Sequence, residues 1–178
     1  VLDVDRPVVL VGNSFGGLLA LEYAIAHPER LEGLVLIDAN MHDSRWNREV
    51  TERFEDSRED PDVGRAEVWR YAYRYAGLAS KRKREQVARS AERLVKHTTF
   101  PRDIASSPPH DDADLEKVTC PVLAMYGEES ELAERARRMI GALPECEAVW
   151  FPGQTHLLLW EATSEVETHV LDFLERLD

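Results

Sequence analysis

The chain has 178 residues, of which 43% are hydrophobic and 31% charged, as expected for one globular domain or one domain with an insertion. Its formal net charge of −12 argues against nucleic-acid and anionic-membrane partners, because both require clustered cations. No apolar run approaches the ~18 residues of a membrane span, and no segment has the basic-then-apolar pattern of a signal peptide.

Apolar runs predict the strands of a parallel sheet. Three of them, Val8–Val11, Leu34–Ile37 and Val122–Tyr126, are continuous rather than alternating, which is typical of strands covered on both faces. A weaker run at Ala148–Phe151 predicts a fourth strand. The first run is apolar throughout and predicts a central strand.

Helical patterns separate these runs. The stretch LLALEYAIAH after Gly17 predicts a helix that ends at Pro28. Two later stretches place apolar side chains on one helical face. The first comprises Leu132, Ala136, Met139, Ile140 and Leu143, and the second comprises Val166, Val170, Phe173, Leu174 and Leu177. This alternation of strands and helices predicts an α/β fold with a mostly parallel sheet and flanking helices.

A long stretch without strand patterns interrupts the alternation. We therefore predict a core part at 1–39, a helical cap insertion at 40–117 and a second core part at 118–178. The cap contains the aromatic stretch VWRYAYRYAGL, residues 68–78, and the basic run KRKRE, residues 81–85. Because acidic residues surround the basic run, it predicts a solvated helix face rather than a nucleic-acid patch.

Three residues of the aromatic stretch share one helical face, namely Trp69, Tyr73 and Ala76. Such a face either packs against the sheet or lines a pocket. We favour packing, because aromatic stripes on helices usually belong to a core.

The segment VVLVGNSFGG, residues 8–17, places Ser14 in a Gly-x-Ser-x-Gly motif after a predicted strand and before a predicted helix. A sharp strand-to-helix turn brings neighbouring backbones very close together. Glycines beside the serine are then expected, because a residue with a Cβ atom would clash there. Such a turn presents the Ser14 hydroxyl at the carboxyl end of the sheet. It also aims the backbone N–H of Phe15 at a developing oxyanion. The motif therefore predicts a nucleophilic serine.

A nucleophilic serine needs a base, and His156 is the candidate. The stretch FPGQTHLLLWE leads from a strand through Pro-Gly into a loop, which places His156 at the same sheet edge as Ser14. His27 precedes a proline at a helix end, where a cation is favourable, and His169 lies within the last helix. The remaining histidines, His42, His97 and His110, lie in the predicted cap.

At this point the chain resembles the α/β-hydrolase superfamily. The resemblance rests on RPVVLVGNSFGGLLALEYAIAHPERLEGLVLIDA, on CPVLAMYGEES and on FPGQTHLLLWE. It implies Ser14 as nucleophile, His156 as general base and the N–H of Phe15 as an oxyanion donor. It also implies a lid in the place of the inserted helices.

The chain departs from the family pattern in three respects. Asn13 stands where many relatives carry histidine. The family normally has several strands, and a loop with a second oxyanion N–H, before the strand that here begins soon after Val1. We therefore expect a missing N-terminal segment or a partner chain that supplies one. The usual acid position, three residues after Gly127, is Ser130.

The acid that orients the base should lie between Ser14 and His156 in sequence, at the carboxyl end of a strand. One candidate is Asp38, at the end of LVLID, and some members of the superfamily carry the acid after that strand. The loop GEESEL offers three others, Glu128, Glu129 and Glu131. We predict Asp38, with the glutamates as alternatives.

These residues predict a serine hydrolase that cleaves an ester, thioester or related acyl bond of a small, hydrophobic molecule without a metal or organic cofactor. Hydrolysis of a carbon–carbon bond would use the same residues. Cys120 and Cys146 lack the number and spacing of a disulfide or metal framework, so we expect a cytoplasmic protein. The alternative is a non-catalytic binding or accessory protein that kept the scaffold. A dehalogenase is disfavoured, because that chemistry needs a carboxylate nucleophile.

Overall fold

A computed structural model describes residues 5–39, 41–46, 48–49, 52, 81–99, 102–103 and 106–177. The chain forms two compact units. The core unit comprises Val1–Met41 and His110–Asp178, and the inserted unit comprises His42–Pro109.

Four parallel strands form the sheet of the core unit, in the order β1-β2-β3-β4. They are β1 (Val8–Asn13), β2 (Leu31–Ile37), β3 (Val122–Gly127) and β4 (Cys146–Phe151). The helices of the core unit are α1 (Phe15–Ala26), α3 (Asp112–Leu115), α4 (Ala133–Ala142), α5 (Leu158–Glu161) and α6 (Thr163–Glu175), with a short 3₁₀ turn at Pro28–Arg30; helix α2 (Lys81–His97) belongs to the inserted unit. The predicted α/β class with a mostly parallel sheet is confirmed.

The continuous apolar runs follow from the burial of both sheet faces. Successive residues of a strand point to opposite faces, so Leu34 and Leu36 pack on one side of β2 and Val35 and Ile37 on the other. The first side carries the apolar faces of α1 and α4, with Leu21 and Met139 among the buried residues. The second side carries α5 and α6, and contains Leu123, Met125, Leu158, Val166 and Phe173.

Two strands begin earlier than their apolar runs. Strand β2 begins at Leu31, and β4 begins at Cys146. Of the residues added to β2, Leu31 is apolar and buried, but Glu32 is exposed and Gly33 carries no side chain, so the apolar run is interrupted there. A Cβ atom on Gly33 would come within 2.6 Å of Leu177 and 3.1 Å of Phe173, so this glycine lets α6 approach the sheet.

The residues predicted to form the apolar faces of the helices lie on their buried sides. Helix α1 begins at Phe15, earlier than predicted, and ends at Ala26, before the proline. In α4 the residues Ala136 and Met139 are buried, and in α6 Val166 and Phe173 are buried. The other members of the two predicted faces are buried or half-buried.

Strand β1 lies at one edge of the described sheet. Its apolar sequence predicts a central strand, yet in the described part of the chain it pairs with β2 alone. Val11 in this strand is 53% exposed.

The inserted unit is described mainly through α2. This helix is polar and carries ion pairs one turn apart, between Glu92 and Lys96 at 2.8 Å and between Glu85 and Arg89 at 3.8 Å. The predicted face of Trp69, Tyr73 and Ala76 lies outside the described residues. The cap boundaries and a lid function remain predictions. Within the described ranges, no helix has both the length and the apolar character needed to cross a bilayer.

Candidate active site

Ser14 occupies a strained turn between β1 and α1. Its φ of 52° and ψ of −118° lie outside the regions that residues with a side chain ordinarily adopt. Hydrogen bonds hold the turn: the Ser14 N–H donates to the Ile37 carbonyl at 2.9 Å, and its carbonyl accepts from the N–H groups of Gly17 and Leu18, both at 3.1 Å. The strain is therefore stabilised from both β2 and α1.

Steric crowding explains one of the two motif glycines, Gly12, and also the following Gly17, but it does not explain the second motif glycine, Gly16. A Cβ atom on Gly12 would lie 2.5 Å from the Gly16 carbonyl oxygen, and one on Gly17 would lie 2.3 Å from the Cβ of Ala39. At Gly16 a Cβ would meet no atom within 4 Å. The steric reason that the sequence suggested for the flanking glycines thus applies to Gly12 and Gly17. For Gly16 it was wrong, because that residue faces open space.

His156 lies on the loop between β4 and α5, and 8% of it is exposed. Its neighbour Thr155 donates two hydrogen bonds to the Glu161 carboxylate, from the N–H at 2.6 Å and from Oγ1 at 2.8 Å. The Leu157 N–H donates to the same threonine oxygen at 3.2 Å. Glu161 in α5 therefore fixes the backbone on both sides of His156.

The histidine loop also packs against the end of β3. The Glu129 N–H donates to the Gln154 carbonyl at 2.9 Å. A Cβ atom on Gly127 would lie 2.4 Å from that carbonyl oxygen and 2.6 Å from that of Thr155. Glycine at 127 thus permits the close approach of the loop that carries His156.

Sequence reasoning overlooked Thr155 and Glu161. A signal existed, since a threonine adjoins the candidate base and a glutamate ends the short helix that follows. From helical periodicity alone, Glu161 would be assigned to a solvated face. The fold of the loop brings Thr155 to the Glu161 carboxylate, and this contact is not visible in the sequence.

Asp38 follows β2 directly and is 0% exposed. It has a φ of 42°, which is rare for a residue with a side chain, and its N–H donates to the Met125 carbonyl at 2.8 Å. The Gly127 N–H donates to its Oδ2 at 3.0 Å, and the Ser130 hydroxyl donates to its Oδ1 at 2.5 Å. Donors from the end of β3 therefore surround the buried carboxyl group.

A chain of hydrogen bonds connects three of the predicted residues. Ser14 Oγ lies 2.8 Å from His156 Nε2, and His156 Nδ1 lies 2.9 Å from Asp38 Oδ1. These distances fit the tautomer in which Nδ1 donates to Asp38 and Nε2 accepts from the serine hydroxyl. Phe15 begins α1 directly after Ser14, which puts its backbone N at the helix N-terminus.

The alternative acids lie elsewhere in the loop after β3. Glu128, Glu129 and Glu131 are all exposed, whereas Ser130 between them is buried and turned toward Asp38. The structure thus brings Asp38, not these glutamate side chains, into a buried hydrogen bond with His156.

Two polar side chains brace the neighbouring strand ends. Asn13, which stands where many relatives carry histidine, donates from Nδ2 to the Ile37 carbonyl at 2.9 Å and so connects β1 to β2.

The Tyr126 hydroxyl donates to the Ala39 carbonyl at 2.8 Å. Burial, and next the negative charge of Asp38, raise the pKa of Tyr126 well above its usual range. The tyrosine therefore remains a neutral donor at every physiological pH.

Within the described ranges, no group of three or more His, Cys, Asp and Glu side chains could hold a metal ion. The site brings together a serine hydroxyl, an imidazole and a buried carboxyl group, each within hydrogen-bond distance of the next.

Comparison with known proteins assigns the family. A model of the alpha/beta hydrolase family matches residues 1–168. The chain belongs to the alpha/beta hydrolase family. This confirms the resemblance inferred from the motifs, and it accounts for the parallel sheet with the turn at Ser14.

Similar proteins include a proline iminopeptidase of Thermoplasma volcanium, 24% identical over 97% of this chain and 66% of that protein. Lipase LipV of Mycobacterium tuberculosis is 44% identical over a shorter stretch, 35% of this chain and 25% of the lipase. Among solved structures, a thermophilic esterase from Thermogutta terrifontis superposes with a TM-score of 0.72 at 20% identity, covering 97% of this chain and 66% of the esterase. The chain thus spans about two-thirds of the length of the iminopeptidase and of the esterase.

Proposed function

We propose that this chain carries the catalytic residues of a serine hydrolase that cleaves an ester, thioester or related acyl bond. The observation that carries the proposal is the hydrogen-bonded chain from Ser14 through His156 to the buried Asp38. The membership of the alpha/beta hydrolase family and the similarity to an esterase, a lipase and a peptidase support acyl-bond cleavage as the reaction class.

Ser14 attacks the substrate carbonyl carbon while His156 removes the hydroxyl proton at Nε2. The histidine then carries a positive charge, which the ionised Asp38 stabilises through the hydrogen bond to Nδ1. The backbone N–H of Phe15 stabilises the oxyanion of the tetrahedral intermediate. His156 returns its proton to the leaving group as the acyl-serine forms.

Water completes the cycle. His156 removes a proton from water as the water attacks the acyl-serine carbonyl, and it returns this proton to Ser14 Oγ as the serine leaves. The acid product is released, and the enzyme regains its starting protonation. No metal or organic cofactor takes part in these steps.

The substrate we propose is a small hydrophobic acyl compound in the cytoplasm. The hydrophobic character rests on the alternative in which the aromatic face within residues 68–78 lines a pocket rather than packs against the sheet. The two cysteines support a reducing compartment, since Cys120 is a buried free thiol and Cys146 a half-buried one.

Labelling with a fluorophosphonate tests the proposal, because this probe phosphonylates only a serine activated by its base. The natural protein that carries this sequence should gain the mass of one phosphonyl group on the peptide that contains Ser14. The Ser14→Ala variant should not gain it. A folded natural protein that is never labelled at Ser14 would support the non-catalytic alternative and refute the hydrolase.

A further inference from the structure

We infer that Ser130 is a positioning residue for the proposed reaction, which holds the Asp38 carboxylate in the orientation that His156 requires. The inference rests on the proposed serine hydrolase function. The family resemblance implies an acid at position 130, whereas this chain has a buried serine there, with 7% of its surface exposed.

The Ser130 hydroxyl and the catalytic histidine contact the same carboxylate oxygen. Asp38 Oδ1 accepts from Ser130 Oγ at 2.5 Å and from His156 Nδ1 at 2.9 Å. The other oxygen, Oδ2, accepts from the Gly127 N–H at 3.0 Å. The terminal torsion of an aspartate is broad when it is left free, and donors on both oxygens restrict it to one orientation.

The direction of the serine hydrogen bond follows from its other partner. The Leu132 N–H donates to Ser130 Oγ at 3.2 Å and so occupies one lone pair of the hydroxyl. The single hydroxyl proton then points to Asp38 Oδ1, because an ionised carboxylate can only accept. Ser130 therefore acts as a donor with a fixed direction.

The backbone of Ser130 is held equally firmly. Its N–H donates to the Gly127 carbonyl at 3.1 Å, and its carbonyl accepts from the Ala133 N–H at 3.1 Å, at the start of α4. A hydroxyl fixed to the end of β3 thus fixes a carboxylate at the end of β2. The two strands are neighbours, with Ile37 opposite Met125.

The charge of Asp38 makes this donor important. A carboxylate that is fully buried loses its hydration, and hydrogen bonds donated to the ionised form must replace that hydration. Ser130 supplies one of them, on the oxygen that faces the imidazole. Without it, both the orientation of the carboxylate and its ability to stabilise the charged histidine should suffer.

The isosteric variant Ser130→Cys tests the inference, because it keeps the shape of the side chain and offers only a weak S–H donor. We expect kcat for a p-nitrophenyl acyl ester to fall about tenfold to a hundredfold, with KM within about twofold, as for the loss of a hydrogen bond to a charged group. Ser130→Thr keeps the hydroxyl and should retain most of kcat. Thr168→Val is a control, since it removes a hydroxyl that donates to the Ser164 carbonyl in α6.

A double-mutant cycle with Asp38→Asn separates positioning from general damage. If Ser130 acts through Asp38, Ser130→Cys should lower kcat by no more than about twofold in the Asp38→Asn background. Equal losses in both backgrounds, or an unchanged kcat in Ser130→Cys alone, would overturn the inference.

The rate of fluorophosphonate labelling distinguishes this inference from the proposed function. If the natural protein is labelled at Ser14 and Ser130→Cys is labelled as fast, the inference fails and the hydrolase stands. If the natural protein is not labelled, the hydrolase fails and the inference fails with it. Slower labelling of Ser130→Cys, with normal labelling of Thr168→Val, supports both.

Discussion

Replacement of Asp38 by asparagine changes one atom of the proposed catalytic group and exchanges an acceptor for a donor. Three donors now converge on this carboxylate: Ser130 and His156 on Oδ1, and the Gly127 N–H on Oδ2. The backbone N–H of Gly127 cannot turn away. The asparagine oxygen should therefore stay on Gly127, and its NH₂ group should face His156.

An NH₂ group facing Nδ1 selects the wrong tautomer of the imidazole. Nδ1 then accepts, and the proton moves to Nε2, which faces Ser14 Oγ at 2.8 Å. Nε2 can no longer remove the serine proton. Loss of the orienting carboxylate in this way lowers kcat about 10⁴-fold in a serine triad with the same roles. We expect a loss of this order for Asp38→Asn, measured with an activated acyl ester.

The exposed glutamates of the following loop provide matched controls. Glu128→Gln, Glu129→Gln and Glu131→Gln make the same chemical change near the same strand end, and each should leave kcat within about threefold. Circular dichroism and urea unfolding should show that Asp38→Asn is folded. If one glutamine variant loses its activity while Asp38→Asn remains active, the acid lies in the loop after β3 and the assignment of Asp38 is refuted.

Three further predictions concern the nucleophile, the histidine loop and a histidine outside the site. Ser14→Ala should lower kcat about 10⁴-fold to 10⁶-fold with unchanged unfolding, since alanine fits this backbone as well as serine does; an active variant would exclude Ser14 as nucleophile. Glu161→Ala removes both acceptors of Thr155 and should lower kcat about tenfold to a hundredfold by misplacing the base, whereas exposed Glu165→Ala should not; equal activities would contradict the proposed role of Glu161. Burial lowers the pKa of His110, but hydrogen bonds and charges from Glu22, at 2.6 Å, and from Asp114, at 3.2 Å, outweigh it and raise the pKa. The resulting stability is complete below the unfolded-state pKa of about 6.5 and is lost as the pH rises through the folded-state pKa, so His110→Gln should lower the free energy of unfolding more at about pH 5.5 than at about pH 8.5. The same loss at both pH values in urea titrations would contradict this.

Local patterns explain why the strands, the turn and the histidine loop could be predicted from the sequence. Because both sheet faces are buried, the strands are continuous apolar runs. Because the turn at Ser14 is crowded, glycines are required at Gly12 and Gly17, and both are visible in the ten-residue segment 8–17. The strand starts were missed where pairing includes residues with no apolar side chain, as at Glu32 and Gly33. Hydrogen bonding between backbones, which the side chains do not report, extends β2 to those positions.

The acid position could not be decided in this way, because it depends on contacts between segments far apart in the sequence. Strands β2 and β3 are neighbours in the sheet, so acidic residues after either strand lie at the same edge as His156. The choice depends on which side chain is buried there and which donors meet it. Gly127 and Ser130 supply those donors to Asp38 from about ninety residues away, and a serine between three glutamates gives no sequence signal of that task. The serine that looked like a lost catalytic acid is therefore better explained as the partner of an acid carried by the neighbouring strand.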